Sequence, residues 1–174
     1  MENLDIVVLR TLKAWREAGQ RAVLTTVVRT WGSSPRPVGS IMALCESGAV
    51  VGSVSGGCIE DDLIAQYSKA NAIQDSAPLR LKYGISADEA HRFGLPCGGT
   101  LELLLEFNPD AASLSQLIKS LEGGQLTQRV THLSTGQVTL KPTDSPSELT
   151  IDETQLTNTF GPEYRMLLIG AGQM

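Results

Sequence analysis

Apolar positions along this chain alternate between helical spacing and short unbroken runs, and the alternation sets out an order of helices and strands. Over residues 3–18, Ile6, Leu9, Leu12 and Trp15, with Lys13 among them, form a partial stripe at steps of three or four, and Gly19 stands where a helix C-cap is expected. The β-branched run Ala22-Val23-Leu24-Thr25-Thr26-Val27-Val28 predicts a strand over 21–31. Strands at 40–44 and 49–54 form a predicted hairpin about Glu46-Ser47-Gly48. A helix over 59–72 follows, with Ile59, Leu63, Ile64, Tyr67 and Ala70 on its apolar side. Short strands are expected at 79–83 and 100–107, and the polar segment 84–94 between them reads as a short helix or lid. A helix over 109–121 ends at Gly123-Gly124, and 127–133 with 137–141 alternate around Ser134-Thr135-Gly136 as a second hairpin. Helices and strands that alternate, joined in part by hairpins, predict an α/β fold with a mixed sheet and flanking helices.

Two glycine pairs interrupt this pattern, each beside a cysteine: Ser55-Gly56-Gly57-Cys58 and Pro96-Cys97-Gly98-Gly99. Paired glycines let a backbone turn sharply and approach a ligand with no side chain in the way. The first pair lies between a predicted strand and a predicted helix, which puts Cys58 at or near the helix start. Free amides and the positive end of the helix dipole favour a phosphate, carboxylate or thiolate there. Glu60, Asp61 and Asp62 follow directly, which suits a first helical turn but opposes a nearby thiolate. Cys45, inside Ile41-Met42-Ala43-Leu44-Cys45, reads as a small core residue. Cys58 and Cys97, set against glycines, read as functional thiols. Three cysteines, an odd number, argue against a structural disulfide framework, although a bond between Cys58 and Cys97 stays open. In the loop Gly32-Ser33-Ser34-Pro35-Arg36-Pro37-Val38-Gly39-Ser40 a single arginine is held between two prolines. Arg36 either presents its guanidinium to an anion or decorates a solvated turn.

Composition narrows the classes further. The chain has 174 residues, a net charge of −5 and scattered Lys and Arg, so the electrostatic footprint of a nucleic-acid binder is missing. No apolar run approaches the ~20 residues that cross a bilayer, and the first residues are acidic where a signal peptide is basic, so a cytoplasmic protein is expected. His91 and His132 are the two histidines, without metal-ligand spacing, and no metal site is expected.

The polar stretch after residue 141 reads as a linker, and Arg165-Met166-Leu167-Leu168-Ile169-Gly170-Ala171-Gly172 as a buried strand entering Gly-x-Gly, the opening of a dinucleotide-binding βαβ unit. The chain ends before the third glycine, the helix and the acidic ribose-binding residue. The expected organisation is therefore an N-terminal domain over 1–141, a linker over 142–163, and the first strand of a truncated Rossmann-like domain over 164–174.

Taken in order, the three motifs Gly32 to Ser40, Gly52 to Glu60 and Pro96 to Thr100 resemble the N-terminal domain of the XdhC/CoxI family, maturation factors for molybdenum hydroxylases such as xanthine dehydrogenase. The resemblance implies a cofactor-insertion chaperone more than an enzyme. Such a protein binds molybdenum cofactor, the molybdopterin form, as cargo, assists its sulfuration with a cysteine desulfurase and delivers it to the apo molybdenum hydroxylase. It also implies a homo-oligomer, with NAD(P) binding only where the remainder of the Rossmann-like domain follows. On this reading Arg36, Ser55, Gly56, Gly57, Cys58, Cys97, Gly98 and Gly99 face the cofactor, its phosphate meeting the Ser55-Gly56-Gly57 turn or Arg36, and Cys58 or Cys97 supplying the working thiol. Two other readings stand beside it. One is a fragment of a thiol-containing NAD(P)- or flavin-dependent oxidoreductase; the other is an interaction adaptor whose glycines only shape turns.

Overall fold

The structure, a computed structural model, describes residues 4–32, 36–84 and 99–162. Its centre is strand β1 (Ala22–Trp31), flanked by β2 (Ile41–Cys45) and β5 (Thr100–Phe107), with β3 (Val50–Gly52) and β4 (Leu79–Tyr83) at the edges in the order β3-β2-β1-β5-β4. Residues 22–28 of β1 are all buried, which explains why the sequence there is an unbroken apolar and threonine run rather than an alternation: both faces of the sheet are covered. On one face α2 (Cys58–Tyr67) sets Ile59 and Leu63 against Val23, Val27, Leu101, Leu103 and Leu105. On the other, α1 (Leu4–Glu17) and α3 (Ala111–Glu122) pack Leu9, Leu12, Leu114 and Leu117 onto Leu24 and Ala43. Each of these fully buried leucines contributes about 1.5–3 kcal/mol relative to solvent.

The expected α/β class is observed, with two refinements. All ladders among the described residues are antiparallel, and they form two sheets instead of one mixed sheet. The second sheet, β7-β6-β9-β8, is built from β6 (Thr127–His132), β7 (Val138–Pro142), β8 (Thr150–Ile151) and β9 (Gln155–Phe160). β8 and β9 fall inside the stretch 142–163 that reads as a linker, and this is a correction: β9 pairs with β6 from Thr127↔Phe160 to His132↔Gln155. Leu156, Asn158 and Phe160 do alternate inward, but Thr and Asn at the intervening and buried positions hide the period. Val28, Leu104 and Leu156 make the apolar contact between the two sheets.

Two element boundaries also move, and one register shifts. The helix expected over 59–72 ends at Ser68, whose hydroxyl and amide both donate to the Ile64 carbonyl, and Asn71 then takes a positive φ of 61°. The strand expected over 49–54 stops at Gly52, where φ is +84° and a β-carbon would lie 2.4 Å from the Ile41 carbonyl oxygen. Between Val27 and Arg29 a bulge shifts the β1–β5 register and places Arg29 opposite Glu102. The short helix or lid expected at 84–94 lies largely outside the described residues; His91, Cys97, Gly98 and the opening strand over 164–174 lie wholly outside them.

Candidate functional site

Because every ladder is antiparallel, the C-terminal ends of β1, β3 and β4 and the N-terminal ends of β2 and β5 share one edge of the five-stranded sheet. The glycine motifs leave the sheet there. A β-carbon on Gly32 would stand 3.3 Å from the Gly99 Cα, so the first motif runs directly against the third, and Trp31 pairs with Thr100 beside them. Arg36 Nε donates to Ser53 Oγ at 3.2 Å, which joins the first motif to the second. Among the predicted site residues, Arg36, Ser55, Gly56, Gly57, Cys58 and Gly99 therefore come to one end of the sheet.

The organising group of that end is Glu60, which the sequence marked only as an acid beside Cys58. Its carboxylate, 8% exposed, folds back over the turn that precedes its own helix. Oε1 accepts from Ser53 Oγ at 2.8 Å and from the amides of Val54, Ser55 and Gly56 at 2.9, 2.8 and 3.0 Å. Oε2 accepts from Gly57 N at 2.9 Å and from the Ser55 hydroxyl. Burial acts to raise its pKa, yet the hydrogen bonds from Ser55, Gly56 and Ser53 outweigh it and hold the carboxyl at about 2. Glu60 sits at the third helical position with its side chain reaching back to the N-cap amide of Gly57, half of a capping box; that spacing is the signal that would have found it.

The consequence for anion binding is direct. Amides 54–57, expected to greet a ligand phosphate, are already engaged by the protein's own carboxylate. What the turn offers outward is space: neither Gly56 nor Gly57 has any atom within 4 Å of where a β-carbon would stand, and Cys58, the first residue of α2, is exposed beside them. Cys45, by contrast, is buried in β2 as expected. Tyr83 at the end of β4 donates to Asp62 Oδ2 at 2.9 Å and so ties the first turns of α2 to the sheet; burial, then Asp62, push its phenol well above the usual range.

A second polar region lies where the two sheets meet. Glu106 on β5 receives Arg129 of β6 in a bidentate pair, both N···O distances 2.9 Å, with Thr131 Oγ1 donating to Glu106 Oε1 at 3.0 Å. Four residues earlier, Glu102 is 1% exposed and its nearest cations are more distant, Arg29 at 3.9 Å and Arg80 at 3.8 Å. Glu102 Oε2 accepts no hydrogen bond from the described residues. Beside Arg29 opens a cavity of about 1080 Å³, walled by Trp31 and residues 37–40 on one side and by residues 146–151 with β9 on the other. The loop that carries Arg36 thus borders both regions.

Residues 15–84, which include Arg36, the Ser53–Glu60 turn and Cys58, match the model of the XdhC and CoxI family. Over 105 residues the chain is 32% identical to the molybdenum cofactor insertion chaperone PaoD of Escherichia coli (strain K12), covering 60% of this chain and 32% of that protein. Over 95 residues it is 30% identical to a probable xanthine dehydrogenase subunit of Bacillus subtilis (strain 168), covering 55% of this chain and 29% of that one. The match therefore spans about a third of the length of these curated relatives. Its fold superposes on the crystal structure of a xanthine dehydrogenase from Bacillus halodurans with a TM-score of 0.67 and 27% identity, over 92% of this chain and 53% of that one.

Proposed function

We propose that this chain is the cofactor-holding part of a molybdenum hydroxylase maturation factor, which binds molybdenum cofactor as cargo and hands it to the apo-enzyme. The observation that carries the reading is the convergence of Arg36, the Gly56-Gly57 turn and exposed Cys58 at one sheet edge, within the segment that matches the family. The names of the relatives point the same way. With amides 54–57 occupied by Glu60, the anionic end of the cargo is left to the Arg36 guanidinium, and Cys58 meets the metal end across the open face of the two glycines. Cys97, Gly98 and Gly99 complete the site from the third motif. A cysteine desulfurase as sulfur source, a homo-oligomeric state and a cytoplasmic setting belong to the same proposal.

The test is anaerobic binding of purified molybdenum cofactor to the wild type and to Cys58→Ser, Cys97→Ser and Arg36→Ala. Loss of a charge-assisted contact at Arg36 weakens binding about tenfold or more, and loss of the working thiol abolishes transfer to an apo-hydroxylase. Cofactor binding that is equal in all four proteins removes this edge of the sheet from the function.

A further inference from the structure

The ion pair at the seam does not use all of Arg129. Its Nη1 and Nη2 meet the two oxygens of Glu106 end on, and Nη1 also donates to Thr131 Oγ1. Both oxygens of Glu106 are satisfied in this way. The Nε hydrogen and the second Nη2 hydrogen, which share one edge of the planar guanidinium, donate to none of the described residues. Arg129 is 4% exposed, and a group so buried seldom keeps two idle donors. Arg129 and Glu106 both stand in the wall of a second cleft of about 700 Å³, which shares no residue with the cavity beside Arg29 and falls within the range of small-molecule sites.

The other walls define what that edge can receive. Phe107, Pro109 and Val138 give the cleft apolar surface, beside which charges interact more strongly than in water. Asp75 and Asp110, both exposed, mark its open side. Each is held through one oxygen: Asp75 Oδ1 accepts from Asn108 Nδ2 at 2.6 Å, and Asp110 Oδ2 accepts from the Ser113 amide at 2.8 Å. Asn108 is fixed in turn by the Ala22 amide and Arg16 Nη1, which donate to its Oδ1. The second oxygen of each aspartate accepts from no described residue. One cation thus faces three carboxylates around the cleft, so a simple anion is repelled at the mouth and a simple cation meets Arg129 at the back. A ligand with both charges, placed in that order, avoids either penalty.

We propose that this cleft binds a small amino-carboxylate, its carboxylate seated on the Nε and Nη2 edge of Arg129 and its ammonium group between Asp75 and Asp110. The carbon chain of the ligand lies on Phe107, Pro109 and Val138. Arg129 then bridges two carboxylates, that of Glu106 and that of the ligand, and the ammonium group restores the balance of charge. The site shares no residue with the Cys58 turn and stands whether or not the chain carries molybdenum cofactor.

The experiment is isothermal titration calorimetry of the full chain with glycine, β-alanine and γ-aminobutyrate, whose two charges lie progressively further apart, and with the carboxylic acid and the alkylamine that match each. At least one amino-carboxylate binds, and its two singly charged relatives bind at least about tenfold more weakly. Asp75→Asn and Asp110→Asn keep the Asn108 contact and the helix cap, and each lowers the affinity about threefold or more. Glu153→Gln removes an exposed charge outside the cleft and leaves the affinity unchanged. Arg129→Lys keeps a positive charge opposite Glu106 but lacks the planar edge, and binding is lost. Should that variant fail to fold by circular dichroism, the aspartate variants and the ligand series decide. The proposal is overturned by no binding of any of the three amino-carboxylates at millimolar concentration, by equal affinity for a singly charged relative, by unchanged affinity in both aspartate variants, or by an equal loss in Glu153→Gln.

Discussion

Glu60 and Glu102 are both withdrawn from solvent, 8% and 1% exposed, and they live in opposite circumstances. Glu60 takes hydrogen bonds on both oxygens from six donors, all within seven residues of it in the chain. Glu102 has cations at 3.8 and 3.9 Å from two other strands and an oxygen with no donor among the described residues. The turn at the sheet edge is therefore closed around its own anion and rigid by construction. The seam between the sheets mixes one fully matched pair, Glu106 with Arg129, and one carboxylate left partly unmet. The first region presents an exposed Cys58; the second keeps a carboxylate oxygen that no donor among the described residues meets.

Substitutions break this comparison in a definite order. Glu106→Gln is the most damaging, because it leaves Arg129, 4% exposed, without its counter-charge; a loss of about 3–5 kcal/mol in urea denaturation is expected. Glu60→Gln follows at about 2–3 kcal/mol, since the neutral amide cannot satisfy the ring of donors that a carboxylate does.

That second loss has a pH signature. The carboxyl of Glu60 is held at about 2 against an ordinary 4.5, so its stabilisation is complete above pH 4.5 and is lost as pH falls through 2. The gap in urea midpoint between wild type and Glu60→Gln is accordingly constant at neutral pH and closes between pH 4.5 and 2. A gap that stays open at pH 2 contradicts the assignment of the charge.

Gly56→Ala comes next. Its φ is +88°, but a β-carbon meets nothing within 4 Å, so only the backbone cost of about 1 kcal/mol is expected. The added methyl enters the open face beside Cys58, and slower alkylation of that thiol by a bulky maleimide than by iodoacetamide would register it. Glu102→Gln is the mildest, below about 1 kcal/mol, because its ion pairs are long and its guanidinium partners remain solvated. A loss as large as that of Glu106→Gln would mean that Glu102 holds the seam together despite its long ion pairs.

Much of the first region was legible in the order of residues. The alternating apolar runs located α1, β1, β2, β4, β5 and the β6–β7 hairpin, and the strand-turn-helix reading placed Cys58 at the start of α2. Glu60 carried a readable capping spacing, yet its closure of the turn showed only in three dimensions. The β9 strand escaped notice because its inward positions include Asn158 and its neighbours are threonines, so burial there follows from pairing with β6 and not from hydrophobicity.

The chain by itself determined what depends on neighbours along the backbone: helix and strand periods, the glycine turns, and the cysteine that follows the second of them at the start of α2. Such features are set by contacts a few residues long, and their energetics are written in local composition. Tertiary structure alone decided which motifs meet, Gly32 against Gly99 and Arg36 against Ser53. It also decided that Glu102 and Glu106, on one face of one strand, receive different partners. Those outcomes follow from antiparallel register and from the bulge at Arg29, which bring together residues far apart in sequence, and no local period encodes such a pairing.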